Sequence, residues 1–251
     1  MTSKKIQSNS KVIVVMPAYN AAKTVEKTVR DLPKDLATKI ILVDDVSSDE
    51  TVSAAKKLGI TVFQHSRNLG YGGNQKTCYY EALKFNPDVV VMLHPDYQYD
   101  ASLTGEMVRP ILEGRYDVMF GSRIRTRAEA LAGGMPATKY FLNRLFTPIE
   151  NIVLGVNFTE HMSGFRAYSK KVLKTVPFGR MSNDFVFDQQ FMASAISFGF
   201  KVGEIPVPVR YYDDSSSIQF VKGTKFLLET LYVLFKFTLH HLGLYDSKLF
   251  K

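Results

Sequence analysis

The sequence predicts an α/β domain with a central, mostly parallel sheet that is flanked by helices on both faces. Three observations support this fold class. Short apolar runs alternate with stretches of helical periodicity through the first half of the chain. The 251 residues are 45% hydrophobic and 12% aromatic, which is enough for a substantial core. Polar or glycine-rich residues follow each apolar run, as they do where the strands of an α/β sheet meet a ligand.

Strands and helices are predicted to alternate in the first half of the chain. The strands are the apolar runs at residues 11–16, 39–45, 60–65, 89–93 and 117–121. The helices between them are expected at 24–32, 51–58, 72–85 and 102–113. The stretch Ser-Ser-Asp-Glu at 47–50 predicts a capping box for the second helix, which Gly59 closes.

The alternation weakens after Gly121. Residues 125–139 have the composition of a basic, glycine-containing loop that closes over anions. Residues 140–154 and 184–198 have helical spacing, and 161–169 predict a turn that leads into a strand. The stretch 201–212 predicts a strand whose prolines place it at an edge or a bend of the sheet.

The C-terminal stretch 222–242 predicts an amphipathic helix. Its polar residues fall in one narrow stripe, formed by Lys222, Lys225, Glu229, Lys236 and His240. Such a helix packs against the domain, mediates a homo-oligomer or lies in a membrane interface. We therefore expect a loose tail at 1–10, an α/β domain at 11–212 and a helical segment at 213–251.

The formal net charge of +8 fits an anionic partner, such as a nucleotide, a lipid phosphate or an acidic membrane surface. The acidic residues at the predicted strand ends argue against nucleic acid. The single cysteine, Cys78, excludes an intramolecular disulfide and fits a reducing compartment. No apolar run reaches the ~18 residues of a membrane span, and the run at 12–16 is too short for a signal peptide. We expect a cytoplasmic protein, either soluble or peripheral on the cytoplasmic face of the membrane.

Polar chemistry follows all five predicted strands. The stretches are MPAYN at 16–20, DDVSSDE at 44–50, HSRNLGYGG at 65–73, HPDYQYD at 94–100 and GSRIR at 121–125. Because the carboxyl ends of parallel strands meet at one edge of a sheet, we expect these residues to form one site.

Two pairs of acceptor side chains indicate what that site holds. Asp44 and Asp45 could accept hydrogen bonds from a nucleobase edge or from ribose hydroxyls, and Tyr19 could form a wall of the base pocket. Asp96 and Gln98, two residues apart, could share one hard divalent cation that takes its other ligands from phosphates and water. The alternative for each carboxylate is a turn or a helix cap.

Basic residues predict the other half of a phosphate site. Arg123 follows the fifth strand, and Arg125, Arg127 and Lys139 lie in or after the basic loop. Arginine is suited to bidentate contact with phosphate. The alternative for Arg125 and Arg127 is a solvated loop surface.

Taken together, these motifs resemble a family 2 glycosyltransferase, and the nearest branch is the dolichyl-phosphate mannose synthase-like group. The motifs are VVMPAYN, ILVDDVSSDET, RNLGYGG, LHPDYQYD, FGSR, MSGFRAYS and FVFDQQFMASAISFGFKVGEIPV, in that order between residues 11 and 212. The resemblance implies a glycosyltransferase-A fold, a nucleotide-diphosphate sugar donor, Mg²⁺ or Mn²⁺, and inversion at the anomeric carbon.

The resemblance also implies roles for individual residues. Asp96, Asp188 and Arg123 would be catalytic, and Asp96 and Gln98 would bind the metal. The nucleotide sugar would contact Pro17, Ala18, Tyr19, Asn20, Asp44, Asp45, Asn68, Gly72, Asp96 and Arg123. The acceptor or its phosphate would contact Arg125, Lys139, Ser163 and Gly164.

The sequence departs from the family pattern at several positions. His94 stands where the family has the first acid of Asp-x-Asp-x-Gln. Either the cation relies on the other two ligands and the diphosphate, or His94 joins as a nitrogen ligand and favours Mn²⁺. Ala21 replaces a glutamate, Lys139 stands where an arginine is expected, and Asn143 stands where a serine is common. Glu160 is the acidic residue ahead of the Ser-Gly-Phe turn.

The acceptor decides whether a general base is needed. A polyprenyl phosphate is already ionised, whereas a sugar hydroxyl must lose its proton to a nearby base. Asp188 is the candidate base, with Asp184 behind it. Because the basic loop favours a phosphate, we predict an inverting, metal-dependent transfer of a hexosyl or N-acetylhexosaminyl group to a polyprenyl-phosphate-type lipid. The alternatives are transfer to a sugar hydroxyl of a glycan or glycolipid, and a non-catalytic nucleotide-sugar-binding protein.

Overall fold

The computed structural model describes residues 10–208 and 220–251. The predicted tail at 1–10 lies outside the described residues except for Ser10. The end of the predicted strand at 201–212 and the boundary between 212 and 213 also lie outside them.

The described strands form one sheet in the order β3-β2-β1-β4-β6-β5-β7. They are β1 (Val12–Ala18), β2 (Lys39–Asp44), β3 (Thr61–Gln64), β4 (Val89–Met92), β5 (Val118–Ser122), β6 (Arg166–Ser169) and β7 (Val202–Pro206). Only β6, which pairs with β4 and β5, runs antiparallel to its neighbours in this sheet. The predicted α/β class with a mostly parallel sheet is confirmed, and β7 is an edge strand as its prolines predict.

The reversed direction of β6 matters for the site. Because β6 is antiparallel, its first residue lies at the edge where the neighbouring parallel strands end. The turn at 162–165, which precedes β6, therefore reaches the same edge as the polar stretches that follow β1 to β5. The order of strands in the sequence does not reveal this reversal.

Helices cover both faces of the sheet. They are α1 (Val25–Arg30), α2 (Thr51–Lys57), α3 (Tyr71–Leu83), α4 (Thr104–Leu112), α5 (Arg127–Ala132), α6 (Ala137–Leu154), α7 (Lys170–Thr175), α8 (Phe187–Ser197) and α9 (Phe220–His241). Alternate residues of β1 enter opposite cores, with Ile13 and Val15 in one and Val12 and Val14 in the other. This alternation is what a sheet buried on both faces requires.

Two local predictions were wrong. The stretch 125–139 is not a loop throughout, because it contains α5, where the Thr126 hydroxyl accepts a hydrogen bond from the backbone N–H of Glu129 at 3.1 Å. Helix α6 begins at Ala137, so Lys139 lies in its first turn. The capping box before α2 is also absent, since Glu50 is the N-cap and its side chain makes no capping bond.

Helix α9 is held to the domain by a separate apolar cluster. Val233, Leu234 and Phe237 of α9 pack with Leu154 of α6 and Ala193 of α8. Among the described helices, none is long and apolar enough to cross a membrane.

Candidate active site

The strand ends surround one cavity of about 980 Å³ at the predicted edge of the sheet. Twelve residues predicted from the sequence line it: Pro17, Ala18, Tyr19, Asn20, Asp45, Asn68, His94, Asp96, Gln98, Lys139, Gly164 and Asp184. The structure adds wall residues that the sequence did not single out, among them Lys23, Tyr71, Asn74 and Tyr99. Seven predicted residues lie outside the described wall: Asp44, Gly72, Arg123, Arg125, Arg127, Ser163 and Asp188.

The loops after β1 and β2 are joined by hydrogen bonds that shape one end of the cavity. The backbone N–H of Asn20 donates to Ser47 Oγ at 2.9 Å, and Asn20 Oδ1 accepts from the backbone N–H of Ser48 at 2.8 Å. Asn20 has φ 53°, a left-handed conformation that asparagine tolerates better than most residues. This arrangement leaves the Tyr19 side chain 60% exposed beside the cavity.

Asp45 is held in place by three donors. Its carboxylate contacts His65 Nδ1 at 2.7 Å and accepts from the backbone N–H groups of Leu69 at 2.8 Å and Gly70 at 3.0 Å. An ionised carboxylate has about four acceptor sites, so one remains for a ligand in the cavity. Asp44, by contrast, is buried outside the wall, where its Oδ2 accepts from the backbone N–H of Ser47 at 3.1 Å.

The glycines of the Gly-Tyr-Gly-Gly stretch bring the start of α3 against another segment. The backbone N–H of Gly72 donates to Asn183 O at 2.8 Å, and a Cβ on Gly72 would lie 2.5 Å from Ser182 O. Gly70 has φ 80°, and a Cβ there would lie 2.8 Å from Asn183 O. Gly72 therefore has a packing role rather than a place in the cavity wall.

The turn after β4 presents His94, Asp96 and Gln98 to the cavity. Tyr97 has φ 62°, and its hydroxyl donates to Asp31 Oδ2 at 2.7 Å, which anchors the turn from outside. The backbone N–H of Gln98 donates to Asp96 Oδ1 at 3.0 Å.

The donors on this turn fit a divalent cation only in part. Among the described residues, no group of three His, Cys, Asp or Glu side chains could hold a metal ion by itself. A carboxylate, an amide oxygen and an imidazole suit Mg²⁺ or Mn²⁺ when phosphate and water complete the coordination.

Tyr71 links His94 to Asp188. Its hydroxyl lies 2.7 Å from Asp188 Oδ2 and 3.3 Å from His94 Nε2, and its ring stacks on His94 with centroids 5.4 Å apart. An ionised carboxylate can only accept, so the Tyr71 hydroxyl donates to Asp188 and accepts from His94. His94 then carries its proton on Nε2, and Nδ1 keeps the lone pair. Burial lowers the pKa of His94, and the negative charge of Asp96 opposes this effect. The net lowering of the pKa favours the neutral ring.

Asp188 does not line the cavity as the predicted base would. Besides Tyr71, it accepts from Gln75 Nε2 at 3.2 Å and lies 3.9 Å from the guanidinium of Arg166. The side chain is buried and lies outside the described cavity wall, where these partners hold it. Its role in the structure is to hold Tyr71.

Arg123 also has a different place from the predicted one. Its buried guanidinium pairs with Glu160 at 2.7 Å and donates to Met162 O at 2.9 Å. Asn143 Nδ2 donates to the same carboxylate at 2.9 Å. Burial would raise the pKa of Glu160, but the Arg123 guanidinium and its hydrogen bonds bring it below the ordinary value. This network supports the turn at 162–165 from beneath.

Lys139 is the predicted phosphate cation that the structure places in the wall. Burial lowers its pKa to about 8, with Arg123 acting in the same direction and Glu160 and Asp96 opposing. Arg125, by contrast, is exposed and pairs with Glu129 at 3.3 Å.

The turn before β6 packs tightly against His94. The backbone N–H of Gly164 donates to the Tyr99 hydroxyl at 2.8 Å, and a Cβ on Gly164 would lie 2.7 Å from His94 Nε2. Ser163 is fully buried outside the wall, and its carbonyl accepts from Arg166 Nε at 2.8 Å. Of the two predicted acceptor residues in this turn, only Gly164 borders the cavity.

Comparison with known proteins agrees with this architecture. The family described as Glycosyl transferase family 2 matches residues 13–176. An uncharacterized protein of Methanocaldococcus jannaschii is 30% identical over 226 residues, which span 89% of this chain and 92% of that protein. The UDP-N-acetylglucosamine–dolichyl-phosphate N-acetylglucosaminyltransferase of Methanococcus voltae is 25% identical over 234 residues, 86% of this chain and 91% of the relative.

A solved structure shares the fold. Glucosyl-3-phosphoglycerate synthase from Mycobacterium tuberculosis, in complex with Mn²⁺, UDP and phosphoglyceric acid, superposes with a TM-score of 0.69 at 17% identity. The match covers 96% of this chain and 82% of that one. The predicted glycosyltransferase-A fold is thereby confirmed.

Proposed function

Because the chain belongs to glycosyl transferase family 2, we propose that it moves a hexosyl or N-acetylhexosaminyl group from a nucleotide-diphosphate sugar to a polyprenyl-phosphate-type lipid. The transfer is expected to invert the anomeric carbon. The relative from Methanococcus voltae supports this acceptor class, since its name specifies dolichyl phosphate. The narrower likeness to dolichyl-phosphate mannose synthases stays a prediction.

Lys139 in the cavity wall carries this proposal. Asp45, Asp49, Asp96 and Asp184 are the acids of the described wall, and each already accepts a hydrogen bond from a described donor. Asp184 is also paired with Lys225 at 2.6 Å. An acceptor hydroxyl must lose its proton to a base, whereas an acceptor phosphate arrives ionised and is attracted by the cationic side chain of Lys139 in the same wall. The wall therefore favours a phosphate acceptor.

The reaction then forms one bond and breaks one bond. An oxygen of the acceptor phosphate attacks the anomeric carbon while the bond from that carbon to the donor diphosphate breaks, and the nucleoside diphosphate leaves. Tyr19 and the remaining acceptor site of Asp45 position the nucleotide, and Lys139 attracts phosphate. Asp96 and Gln98, with His94 as a further candidate, would hold Mg²⁺ or Mn²⁺, which offsets charge on the leaving diphosphate.

One observation favours a hydroxyl acceptor instead. His94 borders the cavity as a neutral ring whose Nδ1 keeps a lone pair, and the Tyr71–Asp188 pair fixes that tautomer. The same nitrogen could take a proton from a sugar hydroxyl. His94 is then a base, whereas in the proposed reaction it is at most a metal ligand.

A donor and acceptor panel separates these functions. The purified protein would be incubated with labelled UDP- and GDP-sugars, Mn²⁺ or Mg²⁺, and either a short-chain polyprenyl phosphate or a set of free glycans. A labelled lipid whose sugar is released by mild acid supports the proposal. Label that appears only in glycans establishes the hydroxyl acceptor, and saturable donor binding without turnover on any acceptor establishes a binding protein.

The lipid acceptor also implies a location. We propose that the protein works at the cytoplasmic face of a membrane as a peripheral enzyme, with α9 as a candidate contact for the bilayer or for a second subunit. Fractionation of cells that express the chain would test this, since recovery only in the soluble fraction at low salt would contradict it.

A further inference from the structure

Helix α6 turns polar side chains towards the domain and apolar side chains outwards. A surface helix normally turns its apolar stripe towards the core. The buried face of α6 instead carries Asn143, Thr147 and Glu150 alongside Tyr140 and Leu154. Asn143 donates to Glu160 and accepts from the Thr147 hydroxyl at 3.0 Å, so this polar face belongs to the network beneath the site.

The outer face of the same helix is apolar. Phe141, Leu142, Leu145, Ile149 and Ile152 are exposed there, and we call them the α6 face. Leu145 is 63% exposed and Ile152 is 82% exposed. The spacing of three or four residues places these side chains on one side of the helix. A continuous apolar stripe of this kind marks an interaction surface.

Helix α9 also carries exposed apolar side chains. It contacts α6 through Val233 and Leu234, which pack with Leu154, while its own Leu228, Tyr232 and Phe235 are exposed. Neighbouring helices with exposed apolar side chains are typical of proteins that rest on a bilayer. Neither described helix is long and apolar enough to span one, so the contact would be interfacial.

The charges around the α6 face identify the occupant. The guanidinium of Arg127 lies 5.8 Å from the ring centre of Phe141, and Arg144 is exposed on α6 itself. Between residues 125 and 152 the acids are Glu129, paired with Arg125, and the buried Glu150. Two copies of the chain joined through this face would bring like charges together, whereas anionic headgroups would neutralise them.

We propose that the α6 face docks on an anionic phospholipid bilayer, with its apolar side chains in the interface and Arg127 and Arg144 at the headgroups. Lys139 lies in the first turn of α6, on the inner side with Asn143, and borders the cavity, so docking would bring that end of the cavity to about one helix diameter from the bilayer. A lipid phosphate could then reach Lys139 while its chain stays in the bilayer. Only this last placement rests on the proposed function.

Vesicle sedimentation tests the docking without donor or acceptor. The wild type, a Leu145→Glu/Ile152→Glu variant and an Arg127→Gln/Arg144→Gln variant would be mixed with phosphatidylcholine vesicles, with and without phosphatidylserine. We expect binding only with phosphatidylserine. The affinity for these vesicles should fall by about tenfold or more for the glutamate pair and by about fivefold for each arginine removed. The Tyr80→Glu variant, which alters an exposed aromatic residue on α3, should bind like the wild type.

Other results overturn the proposal. They are equal binding by the glutamate variant and the wild type, no binding of the wild type to anionic vesicles, or a wild-type dimer that the glutamate pair converts to monomer. The glutamate variant should keep the Tm and the donor affinity of the wild type, which would show that its fold is intact. Transfer to a water-soluble short-chain phosphate separately tests the proposed function, because it needs no bilayer.

Discussion

Replacing Tyr71 with phenylalanine removes one oxygen atom and keeps the ring that stacks on His94 and packs at an angle against Phe185. The lost hydroxyl bonds to a buried carboxylate, Asp188, at 2.7 Å and to His94 at 3.3 Å. A hydrogen bond to a charged group contributes about 1.5–3 kcal/mol, and no cavity of methyl size is created. We expect the free energy of unfolding to fall by about 2 kcal/mol, which lowers Tm by roughly 4–8 °C for a chain of this length.

The same substitution should slow transfer, because His94 loses the partner that fixes its tautomer. If the misplaced His94 ring raises the activation free energy by about 1.4 kcal/mol, kcat/KM falls about tenfold. Urea unfolding and initial rates at saturating Mn²⁺ would measure the two effects. Tyr79→Phe is the matched control, since the Tyr79 hydroxyl bonds to the neutral amide of Gln75 at 3.0 Å. The reasoning is refuted if both variants lose the same stability and the Tyr71 variant transfers sugar at the wild-type rate.

Four further predictions follow from the geometry of the site. Gly164→Ala places a Cβ 2.7 Å from His94 Nε2, so kcat should fall while donor affinity, measured by calorimetry, changes little; an unchanged kcat would show that His94 can move freely. Because the pKa of Lys139 is about 8, its positive charge disappears as pH rises through that value, and KM for the phosphate acceptor should increase above pH 8 in the wild type but not in Lys139→Arg. Asp96→Ala should abolish transfer without lowering Tm by more than a few degrees, and residual metal-stimulated activity would remove Asp96 from the metal site. Burial raises the pKa of Glu150 from 4.5 to about 8, so its folded-state proton stabilises the protein fully below pH 4.5 and this contribution is lost as pH rises through 8. Denaturant unfolding at pH 6 and pH 9 should therefore show a fall in stability, of about 2.7 kcal/mol, that Glu150→Gln lacks; equal falls in both proteins would contradict this.

Much of the fold could be predicted from local patterns. The strands ending before Tyr19, Asp45 and His94 are apolar runs of strand length, and the helices between them have a periodicity that neighbouring residues specify. The convergence of polar residues at one edge follows from parallel strands alone. The residues from these three strand ends accordingly line the cavity as predicted.

The roles of buried charged residues could not be predicted in this way. Asp188 matches the motif of a catalytic acid, yet its partner Tyr71 lies 117 residues away in the sequence, and the structure places the carboxylate outside the described cavity wall. Arg123 looked like a phosphate ligand because Gly-Ser precedes it, but Glu160, 37 residues later, neutralises it. Tyr71 lies between glycines in the sequence. An aromatic residue at the start of a helix is the only local feature that could have marked it as a site residue.

By itself, the sequence determined the α/β class, the edge of the sheet that carries the site and about half of the cavity wall. These depend on periodicity and strand direction, which are local properties of the chain. The tertiary structure alone decided which carboxylates keep capacity for a ligand, that β6 brings Gly164 against His94, and that α6 turns its apolar face outward. Each of these depends on burial and on hydrogen-bond partners from distant segments, and no local pattern specifies which donor will reach a given acceptor.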